Sequence, residues 1–211
     1  MIAPERRVLQ WDPYLNPDEG DMEFRLTYAG RLLARRATSH FDVHDLRKEF
    51  HKQLKVLWLN HPVLQEIQKH GSSVRRRLFV RVCPQNAREN FKSEGFNWLP
   101  MATTANGLIC KVEMLMLRTG PPGQALFDLD NRLKTVFDAL RKATGPDELG
   151  AGTASGQIVP DPDEDPFYVV LEDDRLITHL SVTTDTLLEP VLNVPANEAV
   201  RLVVNVTIRP Y

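Results

Sequence analysis

The segment FDLDNRLKTVFDAL, residues 127–140, combines acidic side chains with a helical pattern of apolar residues. Asp128 and Asp130 are two positions apart, so an extended chain turns both carboxylates to the same side. The apolar positions that follow predict an amphipathic helix over residues 131–142. Lys134 lies one helical turn after Asp130. The segment therefore offers two carboxylates and an ammonium group at the start of a helix.

The predicted helix has two faces. Its apolar side comprises Leu133, Val136, Phe137 and Leu140. Its polar side comprises Asn131, Lys134 and Asp138, which recur at steps of three and four. Asp130 or Asn131 is also well placed to cap the helix, because Asp and Asn side chains accept hydrogen bonds from its first N–H groups. A capped helix with a solvated polar face is therefore the simpler alternative to a chemical site.

A second acidic group follows a short apolar strand pattern at residues 167–171. It consists of Glu172, Asp173 and Asp174. Adjacent carboxylates repel one another unless a cation neutralises them. The group is a solvent-facing turn, or it meets the first acidic segment at one edge of a sheet. In the second case the carboxylates suit a hard, oxygen-preferring ion, Mg²⁺ or Mn²⁺.

The other residues that commonly bind metals or phosphates give weaker patterns. The chain has no HExxH, no CxxC and no glycine-rich phosphate loop. His40, His44 and His51 follow one another at i,i+4 and i,i+7, but no cysteine or fourth histidine near them favours a zinc site. The acidic groups are therefore the strongest candidates for a functional site.

The sequence DLDNRLKTVFDAL followed by LEDDRLI resembles the signature of the RusA family of Holliday-junction resolvases. The family consists of small homodimeric, Mg²⁺-dependent endonucleases from bacteria and their phages. Its motif is Asp-x-Asp-Asn, a lysine on the helix, Asp-Ala-Leu a turn later and a pair of aspartates just past the next strand. The likeness covers about residues 107–208 of this chain.

The resemblance assigns roles residue by residue. It implies catalytic roles for Asp128, Asp130 and Asp174, and it makes Lys134 the active-site lysine. Asp128, Asp130 and Asp174, with the neighbouring Asp173, would bind Mg²⁺ (or Mn²⁺). The metal ion would orient and activate a water molecule and stabilise the leaving oxygen during phosphodiester hydrolysis.

The resemblance also implies a substrate and an assembly. The substrate would be branched DNA of the Holliday-junction type, cleaved during DNA recombination or repair. A homodimer is implied because a symmetric junction needs two cuts. Two alternatives stay open: a nuclease for flaps, forks or another branched DNA, and a non-catalytic nucleic-acid-binding or protein-interaction module on the same fold.

DNA binding would depend on local positive charge, because the chain has a net charge of −2. The best candidates are four arginines in and beside a predicted strand at residues 74–82. They are Arg75, Arg76, Arg77 and Arg81. The alternative is that these arginines form ordinary solvated surface.

The remaining patterns predict an α+β fold, a single domain with a mixed β-sheet and two principal helices, which is RusA-like in class. Helices are expected from Asp42 to about His70 and over 131–142. Strands are expected at 23–30, 74–82, 107–118, 167–171, 175–184 and 199–210. We interpret residues 1–22 as an irregular lead-in and 23–211 as the RusA-like domain. An acidic, Gly- and Pro-rich loop or partly disordered insertion would interrupt that domain at about 143–166.

The strand at 107–118 gives the clearest pattern. Leu108, Cys110, Val112, Met114 and Met116 alternate with more polar positions and should form its core face. The chain has no run of about 20 apolar residues that would span a membrane, and its N-terminus has no hydrophobic signal region. We therefore expect a cytoplasmic protein without membrane association.

Overall fold

The polypeptide forms two α-helices and seven strands in the part of the chain that the computed structural model describes. The described residues are 21–33, 40–61, 64–65, 91–104, 107–119, 129–149 and 159–210. In chain order the elements are β1 (Met22–Arg31), α1 (His40–Asn60), β2 (Lys92–Ser93), β3 (Phe96–Ala102), β4 (Leu108–Arg118), α2 (Leu129–Leu140), β5 (Phe167–Leu171), β6 (Ile177–Thr186) and β7 (Ala199–Pro210). The predicted α+β class is confirmed.

The larger sheet has the strand order β1-β7-β4-β6. β7 pairs antiparallel with both β1 and β4, whereas β4 and β6 are parallel, so the sheet is mixed. Along β4, buried residues alternate with partly exposed ones, and the buried set starts at Leu108. The core face predicted for this strand is therefore confirmed.

A smaller sheet has the order β2-β3-β5, with β3 and β5 parallel. The β2–β3 connection is a two-residue turn in which Glu94 and Gly95 have φ values of 53° and 82°. Positive φ at both positions is what a type I′ hairpin turn requires. The sequence pattern does not reveal β3, because Pro100 lies inside it and proline is rare within strands. This second mixed sheet was not predicted.

The two helices cover the core face of the larger sheet. The predicted repeat of apolar residues in α1 is buried at Leu46, Phe50 and Leu54, and Trp58 extends it. α1 contacts α2, β1 and β5. The helix ends at Asn60, about ten residues before the predicted end near His70, and Pro62 follows two residues later. The hydrophobic core therefore lies between α1, α2 and this sheet, and burial of this helical face is the main stabilising contribution of α1.

The described ends of the predicted insertion at 143–166 are folded against α1. Ala143 and Leu149 are buried in a small core with β3 and β5. Lys48 forms an ion pair of 2.9 Å with Glu164, which is itself buried. The described ends are loops with short 3-10 turns at Pro146–Leu149 and Pro162–Glu164, and their packing against the core depends on tertiary contacts that local composition does not show.

Several predictions fall outside the described residues. They are most of the lead-in (1–20), the strand at 74–82 with its four arginines, the centre of the insertion (150–158) and Asp128. The described part of the lead-in is short, since β1 already begins at Met22.

Two histidines of α1 are buried against aromatic rings. The His44 ring stacks on Phe167 with centroids 5.8 Å apart, and the His51 ring lies 4.3 Å from the same phenyl ring. The Tyr168 N–H donates to His51 Nδ1 at 2.9 Å, so the neutral ring carries its proton on Nε2, next to the Asp163 carbonyl. Burial, followed by the charges of Arg47 and Lys48, lowers the pKa of His44 to about 3. These histidines are packing residues here.

The buried histidines make the fold sensitive to acid. The pKa of His44 is about 3 in the folded chain, below its ordinary value of 6.5, so the unfolded chain binds more protons between these pH values. Stability should therefore fall as pH drops below 6.5, and His44 alone should contribute a loss of about 2 kcal/mol between pH 7 and pH 5. Urea denaturation at the two pH values measures this loss.

The variant His44→Phe keeps a ring in the same place but does not titrate, so its pH dependence should be shallower. Val56→Phe serves as the control, because Val56 is 59% exposed on α1 and does not titrate, so this change should leave the slope unchanged. A slope that is equal in wild type and His44→Phe would refute the role of His44.

Candidate active site

Asp130 lies in the first turn of α2, where the N-terminal end of the helix dipole favours a negative charge. Its side chain is 75% exposed. Lys134, one turn later, places its Nζ 2.8 Å from the Asp130 carboxylate. The exposed position of Lys134 on the helix agrees with the sequence, but α2 begins at Leu129, two residues earlier than predicted, so Asp130 lies inside the helix and not in an extended segment before it.

Asp173 and Asp174 follow β5, whose five residues are all buried. Asp173 has an extended backbone and caps a short 3-10 turn, Asp174–Leu176, by accepting a hydrogen bond from the Arg175 N–H. The Arg175 guanidinium also donates to Asp173 at 2.8 and 3.0 Å. These hydrogen bonds lower the pKa of Asp173 to about 2, so its carboxylate stays ionised at neutral pH. Asp174 is exposed.

The two acidic segments belong to neighbouring elements. α2 contacts the turn Asp174–Leu176 directly. At the other end of α2, the Lys142 N–H donates to the Leu171 carbonyl at 3.0 Å, which fastens the helix to the end of β5. Leu133 and Leu176 pack against the same core. The helix that carries the first acidic segment is therefore held beside the turn that carries the second.

The donor chemistry of these segments fits Mg²⁺ or Mn²⁺, since carboxylate oxygens are the ligands that hard cations prefer. Within the described ranges, however, no three His, Cys, Asp or Glu side chains are grouped closely enough to hold a metal ion. Asp130, Asp173 and Asp174 do not make such a group without a further donor. The fourth predicted ligand, Asp128, lies outside the described residues.

Asp138 differs from its predicted position on the solvated side of α2. It is only 5% exposed, and its carboxylate accepts a hydrogen bond of 2.5 Å from Arg141. Arg132 is also buried and donates to the Asn197 carbonyl at 3.0 Å. α2 therefore buries charged residues at two positions about 120° apart around its axis, while the apolar Leu133 and Phe137 stay partly exposed.

Asp138 belongs to a buried network of charged groups that joins α1 to the end of α2. Arg47, with a fully buried side chain, donates to the Asp138 carbonyl at 2.6 Å and to the Arg141 carbonyl at 3.0 Å. Glu148 accepts from Arg141 at 2.8 Å and lies 3.4 Å from Arg47. Burial lowers the pKa of Arg47 to about 10, so it remains charged at neutral pH. The network positions the helix that carries Asp130.

Sequence reasoning missed Arg47, Arg175 and Glu148 as determinants of the site. A signal existed for Arg175, because it directly follows the paired aspartates. None existed for Arg47, since a lysine or arginine on a helix is usually exposed and its burial depends on partners from distant segments.

Comparison with family models, with curated proteins and with solved structures finds no match. The structure contains no helix, in the residues it describes, that combines the length and the hydropathy needed to cross a membrane. By its fold the chain is an α+β protein with two mixed sheets, and it carries an exposed ion pair between Asp130 and Lys134 at the start of α2.

Proposed function

We propose that the protein is a metal-dependent endodeoxyribonuclease that hydrolyses phosphodiesters in branched DNA. The observation that supports this proposal best is the contact between α2, the helix that carries Asp130, and the turn Asp174–Leu176, which lies much later in the chain. The likeness of both segments to the RusA motif is the second support. The proposal includes a cytoplasmic homodimer that acts in DNA recombination or repair.

The proposed roles of the side chains follow from their charges. Mg²⁺ or Mn²⁺, when bound, would supply a Lewis acid and an activated water molecule. Asp130 and Asp174, with Asp128 and Asp173, would hold the ion through carboxylate oxygens. Lys134 is about half exposed, so its ammonium group can reach a phosphate oxygen and stabilise the charge that develops during hydrolysis. Arg75, Arg76, Arg77 and Arg81 are the proposed contacts to the DNA backbone.

A second candidate is a non-catalytic nucleic-acid-binding or interaction module. It is favoured by the internal neutralisation of the acidic residues. Asp130 is paired with Lys134, and Asp173 with Arg175, so neither carboxylate needs a metal ion for charge balance. In this case the acidic side chains would contact a partner instead of a metal ion.

Incubation with labelled DNA substrates separates the two candidates. The purified full chain should cut four-way junctions in Mg²⁺ or Mn²⁺ and leave linear duplex intact, and EDTA should stop the reaction. Three-way junctions and flaps in the same panel identify the preferred branched substrate. Binding to a junction without cleavage of any substrate in either metal would favour the non-catalytic module.

A further inference from the structure

The two edge strands of the larger sheet differ in whether a side chain covers their free backbone groups. At the β1 edge, the Gln53 side chain of α1 satisfies both backbone groups of Thr27, donating to its carbonyl at 2.7 Å and accepting from its N–H at 2.9 Å. A covered edge of this kind cannot accept another strand. β1 is therefore closed to further pairing at its centre.

β6 forms the opposite edge. It pairs with β4 on one side, and no described strand pairs with its other side. All ten of its residues are at least partly exposed, and Leu180 is 44% exposed. A long, exposed strand without proline offers a row of backbone donors and acceptors to a further strand.

We propose that β6 of a second copy of this chain pairs antiparallel with β6, with the two-fold axis at Val182. A two-fold axis perpendicular to the strands makes the pairing antiparallel and self-complementary. Residues opposite each other in such a pair point to the same face of the sheet. The two-fold axis must therefore lie at a residue that faces its own copy, and it cannot lie between two consecutive residues.

Charge and shape select Val182 as that centre. With the axis there, His179 of each copy lies opposite Asp185 of the other on the open face of the sheet. On the face toward the helices, Val182 meets its own copy, and Leu180 lies opposite Thr184. Centring the pair on Ser181 instead would leave the histidine facing Thr183 and would give Asp185 an apolar partner, Ile177.

The inference deepens one part of the proposed function, the homodimer, but it does not depend on nuclease activity, because it uses only the edge of the sheet and not the acidic segments. The homodimer implied by the family resemblance leaves its interface open, whereas β6 specifies one. The test therefore concerns assembly and is independent of any cleavage assay.

Cross-linking tests the register directly. In a Cys83→Ser background, Val182→Cys should form an intermolecular disulfide on mild oxidation, because residues directly opposite each other have Cα atoms about 4.5–5.5 Å apart, which a disulfide can span. Thr178→Cys is the matched control. Its two copies would lie roughly 27 Å apart along the strands, so it should not cross-link.

A charge swap tests the pairing without a covalent bond. His179→Asp would place an aspartate opposite Asp185 of the other copy, once at each end of the paired strands. The repulsion between these carboxylates should raise the dimer dissociation constant roughly tenfold or more, which sedimentation equilibrium measures. Adding Asp185→His to the same chain should restore dimerisation. Circular dichroism of each variant checks that the fold is intact.

Two results would overturn the proposal. One is a dimer that Val182→Cys does not cross-link and that His179→Asp does not weaken, since it would use another surface. The other is a monomer at all concentrations with β6 amides protected from hydrogen exchange, which would mean that another segment of the same chain covers the edge.

Discussion

Replacement of Asp130 with Asn should reduce Mg²⁺-dependent cleavage of branched DNA by at least about a hundredfold. The substitution keeps the size of the side chain but removes the negative charge that Lys134 contacts and that the proposed metal ion would require. Because the side chain is 75% exposed, loss of its ion pair should lower the free energy of unfolding by less than about 1 kcal/mol. Initial rates on a labelled four-way junction measure the effect on activity.

Glu49→Gln is the matched control for Asp130→Asn. Glu49 lies on α1 and forms a comparable exposed ion pair with Lys52, at 2.5 Å. The control removes the same charge from the chain, so general electrostatic effects on DNA binding should be equal in both variants. Its cleavage rate should equal that of wild type. Full activity in Asp130→Asn would refute the proposed site.

The effect of Asp130→Asn on chemistry can be separated from an effect on binding. Junction binding in EDTA should be unchanged or slightly stronger in the variant, since a carboxylate repels phosphate. A loss of cleavage that is accompanied by an equal loss of binding would mean that Asp130 holds DNA or the fold instead of a metal ion.

Replacement of Arg47 with Met should lower the free energy of unfolding by about 3–5 kcal/mol, because removing one partner leaves other buried charges and carbonyls unpaired. α2 ends at Leu140, so the last carbonyls of the helix have no partners within it. Arg47 donates a hydrogen bond of 2.6 Å to one of these carbonyls, that of Asp138, and it also contacts Glu148. Urea denaturation at neutral pH measures the loss.

Lys52→Met is the control for Arg47→Met. It also removes one positive charge from α1, but Lys52 is 63% exposed and pairs only at the surface. The control should cost less than about 1 kcal/mol. An equally small cost for Arg47→Met would show that the buried network contributes little to stability.

Local sequence patterns predict most of the strands and the position of α2. Alternation of apolar residues identified β4 and β7 closely, since half-buried strands repeat with a period of two, and a short continuous apolar run identified β5. Alternation failed at β3, where Pro100 interrupts the pattern and burial comes from the parallel partner β5. Helical periodicity located α2 but misassigned Asp138, because a helix packed on several sides buries more than one face.

The candidate site also combines features that are local in the sequence with one that is not. Asp130, Lys134 and the paired aspartates were recognisable because their types and order are local in the sequence. Their ion pairs with Lys134 and Arg175 are local too, yet the position of α2 against the turn Asp174–Leu176 is not. That position depends on contacts between segments far apart in the chain.

Composition and periodicity determine which segments become strands or helices, since these depend on the spacing of apolar side chains along the chain. Tertiary structure alone decided that Arg47 and Asp138 are buried and that Gln53 closes one edge of the sheet while β6 is left open. The physical reason is that burial and hydrogen bonding of a polar group depend on partners that only the folded chain brings within reach.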